Sequence, residues 1–261
     1  MQTKLKKHMQ LAGTAVLLAG ALASAGAHAD VTLNAGLGVT HESNINGSPV
    51  KSAQLSDNYT TLNASAVYYT PLDNAQTTYF IGQVGALASK YGKYSSLDNS
   101  ALIASAGLYQ QFSSNWSGQV TGRGFSRDTK QNQRDSKGWG TTFEIKNQLT
   151  SNVWIKGSAD YEDSKANLGS FSYTGKTLGL SVGYLPLQDT FTSVGYSHNT
   201  RDFNTAAAFK TTTQTYFANA TQRLAKNWYL NASYAFQNNT SNIAGTGYKD
   251  NILSAAVNYS Y

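Results

Sequence analysis

Two sets of residues in this chain could do chemistry: a histidine–serine pair and a group of charges recurring at alternate positions. His41 and Ser43 stand two apart in His41-Glu42-Ser43-Asn44. In an extended strand, positions i and i+2 share a face, so the imidazole could take the Ser43 Oγ proton and create a nucleophile. The plainer alternative is a histidine at a rim beside a polar loop. His198 and Thr200 repeat the spacing with a poorer nucleophile. Arg123, Arg127, Glu144, Lys146, Lys156, Asp160 and Glu162 share one face of three consecutive strand-like segments, and Arg201 and Arg223 follow on later ones. Charges so placed either neutralise one another across neighbouring strands or form a charged constriction that orients dipolar solutes. The signs of those first seven nearly cancel, so weak ion selectivity is expected. No calcium loop or phosphate loop is present, and no cofactor or metal is expected.

The His41–Asn44 stretch resembles the H-x-S-N stretch of outer-membrane lipid hydrolases, the lipid A deacylase and more loosely the outer-membrane phospholipase. That resemblance implies a hydrolase using His41 and Ser43. The match spans four residues, with no carboxylate or Asn evidently placed to hold the imidazole. Gly38 to Asn46 also resembles the D-S-N-I end of a first strand in barrels of export systems, with His-Glu where those carry an acid. Those barrels bear long helical-repeat domains that this chain lacks.

The elements that position these residues are period-2 segments. The last eleven residues, 251–261, put Leu253, Ala255, Val257, Tyr259 and Tyr261 on one face and small or polar residues on the other. This segment resembles the aromatic-ended C-terminal strand of Gram-negative outer-membrane barrels, which implies recognition by the barrel-assembly machinery. Eleven further segments zigzag in the same way. In the one at 77–89 both faces carry apolar residues, and the even positions are placed outward. Short turns follow the even-numbered segments and longer polar loops the odd ones, so both ends of the barrel chain lie on the short-turn side. The reading is all-β: a transmembrane antiparallel up-and-down barrel of about twelve strands. Tyr68, Phe112, Trp116, Tyr184, Trp228, Tyr259 and Tyr261 near the short turns, and Trp139, Tyr161 and Phe236 near the loops, form two expected aromatic girdles.

Composition bounds the rest. Lys4, Lys6 and Lys7, an apolar run from Leu11 to Leu22 and Ala27-His28-Ala29 read as a secretory signal peptide over 1–29, leaving 30–261 as the barrel. The formal net charge of +6 contains those three lysines, and the remaining bases are scattered, so nucleic acid is not an expected partner. With no cysteine, an exported chain has no disulfide framework. The inward positions are rich in Gly, Ser, Thr and Asn, which leaves room for water. The expected function is therefore a narrow, weakly selective outer-membrane pore for small hydrophilic solutes. The expected surroundings are outer-membrane lipid and lipopolysaccharide, with a lipid hydrolase or an adhesive barrel as alternatives.

Overall fold

The structure, a computed structural model, describes residues 30–205 and 208–261; the expected signal peptide, 1–29, lies outside the described residues. Twelve antiparallel strands run β1 (Asp30–Glu42), β2 (Asp57–Pro71), β3 (Thr78–Tyr91), β4 (Asn99–Gln111), β5 (Trp116–Thr129), β6 (Ser136–Gln148), β7 (Val153–Ala166), β8 (Tyr173–Leu187), β9 (Thr190–Phe203), β10 (Lys210–Ala225), β11 (Trp228–Ser241) and β12 (Tyr248–Ser260). Each pairs with its sequence neighbours and β1 closes on β12, so the sheet has no free edge. Following paired residues once around the wall returns to β1 displaced by about 16 residues, which for twelve strands sets a tilt of about 40–45° and a backbone radius of about 12 Å.

The outer face follows the period-2 reading. Leu37 is 56% exposed, Leu102 63%, Leu178 63% and Leu253 58%. Side chains of this type around the whole circumference make an apolar belt far larger than a water-soluble protein leaves uncovered, and lipid is the solvent that suits it. On β3, Val84 is 58% exposed and the Phe80 ring lies against outward-facing Tyr68 with centroids 6.3 Å apart, so the even positions do face out.

Several strands run further outward than the sequence pattern indicates. Clear apolar–polar alternation covers 176–185 of β8, which runs Tyr173–Leu187, and 228–237 of β11, which runs Trp228–Ser241. Above the bilayer the outward residues become polar, which ends the alternation, but the backbone ladder continues in water. The connections on this side have six or more residues and are led by 43–56, whereas the inner turns have six or fewer, as short as 188–189.

Inner turns are held by local caps. The Asp73 carboxylate accepts hydrogen bonds from Thr77 N at 2.8 Å, Thr77 Oγ1 at 2.6 Å and Thr78 Oγ1 at 2.9 Å. The Thr77 hydrogen bonds chiefly hold its pKa at about 2, below the ordinary 3.8. A depressed pKa gives stability that is present above about pH 4 and lost as pH falls toward 2. The protection of the Thr77 amide, its exchange relative to that of an unstructured peptide at the same pH, should therefore fall between pH 5 and pH 2, and Asp73→Asn should abolish that dependence. The two faces of the wall give a second test. Val84→Arg, on the lipid side, should destabilise the barrel in vesicles by about 2–4 kcal/mol in urea titrations, whereas Ile103→Arg, on the inner side, should cost under about 1 kcal/mol.

Candidate functional site: the inner wall

The inner wall is built on alternation of bulky and minimal residues across directly paired strands. One row of cross-strand partners reads Arg201, Gly175, Glu162, Gly140, Arg123, Ser105, Gln83. The Arg123 guanidinium lies across Gly140, where any Cβ would collide with it. Trp154 lies in the same way across its partner Gly183. Glycine at these two positions lets a large side chain lie along the wall instead of projecting toward the axis.

The seven charges expected on β5–β7 do share this wall. Arg123 Nη1 bonds Asp160 Oδ2, and Nη2 donates to Glu162 Oε2 at 2.8 Å. Thr142 Oγ1 accepts from Arg123 at 3.0 Å and donates to Asp160 at 2.7 Å. Arg127 donates to Glu162 Oε1 at 3.1 Å, and Tyr173 OH donates to the same oxygen at 2.6 Å. Lower on the wall, Lys156 Nζ donates to Glu144 Oε1 at 2.8 Å. Such charge-assisted bonds are the strong kind. They join β5, β6, β7 and β8 into one network, which matches the neutralising alternative. The pattern of the sequence does not single out Tyr173 or Thr142; their part follows from register, which only paired strands reveal.

The two other expected inward bases stand outside this ion-pair network. Arg201 stacks over the Tyr173 ring at 4.6 Å. Arg223 folds back on the β10–β11 turn, donating to the Ala225 and Lys226 carbonyls and standing 3.7 Å from Asp189 at the inner rim. It therefore caps a turn and is not part of the charged network, because the register shift at Arg223/Ala225 brings those carbonyls within its reach.

His41 and Ser43 do not form the expected couple. His41 Nδ1 is 2.8 Å from Asn58 Oδ1, on the neighbouring strand. Ser43 Oγ donates to Asp250 Oδ1 at 2.9 Å and accepts from Asn251 N at 2.9 Å. The strand ends at Glu42, so the i, i+2 rule fails one residue later and Ser43 turns toward β12. Asn44, 1% exposed, is a structural residue: it bonds the Lys249 carbonyl and the Ser48 backbone.

The interior varies along its length. Near mid-wall Ile103 points inward yet is 42% exposed, so solvent reaches it. Toward the outer end the inward side chains pack closely: Tyr91, Phe203, Gln237 and Asp250 are all buried, and loop 43–56 seats Ile45 among the buried residues. Of the inward rings, Trp154 is stacked on Phe191 at 5.7 Å with Lys146 Nζ 5.3 Å from its centroid. Trp154 is itself buried.

The expected girdle rings lie on the outer face near the strand ends. Trp228 and Tyr259 meet at 5.1 Å toward the inner rim, and Trp139 and Tyr161 at 5.3 Å toward the outer. Tyr216 bridges Tyr196 and Phe236 and extends the outer set.

No known family pattern and no curated protein matches this sequence. Solved structures do. The COG4313 outer membrane channel of Pseudomonas putida F1 superposes with a TM-score of 0.64 at 12% identity, over 88% of this chain and 95% of that one. The outer membrane channel DcaP of Acinetobacter baumannii gives 0.50 at 12% identity, over 91% and 99%. The fold is that of an outer-membrane β-barrel. At such identities the likeness speaks for this barrel's architecture and leaves its activity to the residues.

The network makes a direct prediction. Glu162→Gln removes the counter-charge shared by Arg123 and Arg127 and should destabilise the barrel by about 1–3 kcal/mol. The same change in an Arg127→Ala background should cost less, and a double-mutant cycle in lipid vesicles reads the difference.

Proposed function

We propose that this outer-membrane barrel is a narrow passive channel for small hydrophilic solutes. The observation that carries the reading is the inner wall: bulky groups are laid flat over glycines, and mid-wall residues such as Ile103 remain exposed to the interior. A core meant to be filled has no use for that arrangement, since protein interiors pack without such space. The close-packed outer end supplies the narrowest part. Paired inward charges give a polar path with little net field, which supports weak selectivity.

The surroundings follow from the same reading. The apolar belt and its ring-bearing margins suit outer-membrane lipid and, on the loop side, lipopolysaccharide. The segment 251–261 is the part we expect the barrel-assembly machinery to read, since β12 must be delivered to β1 to remove the last free edge.

Purified barrel in planar bilayers should give discrete conductance steps, and proteoliposomes should swell in small sugars and not in large ones. An absence of steps overturns the channel reading. Gly183→Val should push the Trp154 ring off the wall and lower the single-channel conductance, with unchanged heat-modifiable migration reporting that the barrel has folded.

A further inference from the structure

The longest connection of the barrel, 43–56, does not stand up into solvent. Asn44 and Ile45 are each 1% exposed, a burial that a loop raised from an open rim does not reach. Asn44 N donates to Asp250 Oδ1 at 2.8 Å, and Ser43 Oγ donates to the same oxygen at 2.9 Å. Asn44 Nδ2 donates to the Lys249 carbonyl at 2.9 Å. Gly47, at φ +56°, lies so close to the Tyr248 ring that an added Cβ would meet it at 3.0 Å. β12 shows Leu253 to lipid, so Tyr248 and Asp250, of opposite parity, project inward. The connection therefore leans in over the mouth. It also moves as one piece, because Ile45 N donates to the Leu55 carbonyl at 2.8 Å and Leu55 N to Asn46 Oδ1 at 2.9 Å.

One carboxyl, that of Asp250, thus holds both residues at the start of the connection. It is 2% exposed and is hydrogen-bonded to the carboxyl of Glu42 at the end of β1. Ionised carboxylates only accept, so that contact needs a proton on one of the two. The pair is faced by Asp57 and Tyr59 from β2, Tyr91 from β3, Tyr248 on β12 itself and Arg201 from β9. A single guanidinium cannot neutralise three acids, which leaves the shared proton to relieve Glu42 and Asp250. Asn251 pairs with the girdle ring Phe236, so Asp250, one residue further out, lies above the bilayer. Burial raises its carboxyl above the ordinary 3.8, outweighing the hydrogen bonds from Ser43, Glu42 and Asn44 that lower it. A raised pKa means that the contact is intact below that value and is lost as pH rises through it. Above it two buried carboxylates face one another, and their repulsion is relieved by separation.

We propose that connection 43–56 is a lid over the outer mouth, latched by the Asp250 carboxyl and released when the proton shared with Glu42 is lost. This rests on the channel reading and adds to it how the channel is narrowed: the lid is held in acid and freed in alkali. The bistable element is the connection itself, and the charge change that biases it is the loss of one proton.

The test is single-channel conductance in planar bilayers at pH 4 and pH 9, alongside the mobility of a nitroxide on Lys51→Cys, the only cysteine in that variant. In the wild type conductance should rise with pH, and the label should gain mobility over the same range. Glu42→Gln, whose amide donates to Asp250 without a titrating proton, should keep the low conductance and the immobile label at both values. Asp250→Ala, which takes away the acceptor of Ser43 and Asn44, should give the high conductance at both. Deletion of 45–54 should do the same, with heat-modifiable migration reporting that the barrel has folded. A wild-type conductance independent of pH, a Glu42→Gln channel that still responds to pH, or a conductance unchanged by the deletion overturns the lid and leaves the channel reading standing. Folded wild-type and deleted barrels that give no steps at either pH overturn both.

Discussion

Leu33 and Tyr261 exchange backbone hydrogen bonds, Leu33 N to the Tyr261 carbonyl at 3.0 Å and Tyr261 N to the Leu33 carbonyl at 2.8 Å. With this exchange the first strand finds its last partner. In water an unpaired strand edge is a hazard for aggregation; in hydrocarbon each unpaired N–H or C=O costs several kcal/mol and cannot be tolerated. Closure of β1 on β12 is thus the condition for everything else in the molecule. It forces every strand to show one face to lipid and the other to the lumen, and it makes the alternation of side chains a division between two solvents.

Once closure is imposed, the inner wall faces a packing problem opposite to that of a soluble core. Large side chains must be accommodated without meeting on the axis. The answer along β5–β9 is lateral: Arg123 rests over Gly140 and Trp154 over Gly183, each bulky residue using the space its neighbour leaves. The same spreading lets Arg123 reach two carboxylates on β7 across the intervening strand. Ion pairing and open space are therefore produced by one device. At the outer end the device is abandoned, and rings and amides pack on one another: Tyr91 stacks on Tyr59, Phe203 on Phe209, and Asn239 donates to Thr213 Oγ1. Wall and mouth consequently differ in character, the wall charged and hydrated, the mouth close-packed.

Much of this was legible before any strand was paired. Leu33, Leu37, Leu62, Leu102, Val120, Leu178 and Leu253 all lie where alternation put them, and each is 40% or more exposed. The charges of β5–β7 were read as one inner face, and all but Lys146 are ion-paired there. The misreadings share a cause, which is that alternation describes a strand only while it lies in the bilayer. Ser43 follows the last residue of β1 and is claimed by Asp250. Arg223 sits beside a register shift and is claimed by a turn.

Alternation and aromatic strand ends, both properties of single segments, were sufficient to specify a barrel, its strand number and the face each side chain takes, because a bilayer leaves a strand so few alternatives. Which residues touch across strands depended on register, and register is set jointly by all twelve pairings and the closure of the last on the first. That is why Glu144, Asp160 and Glu162 could be named from sequence as acids of one inner face, while their pairing with Lys156, Arg123 and Arg127 belongs to the tertiary structure alone.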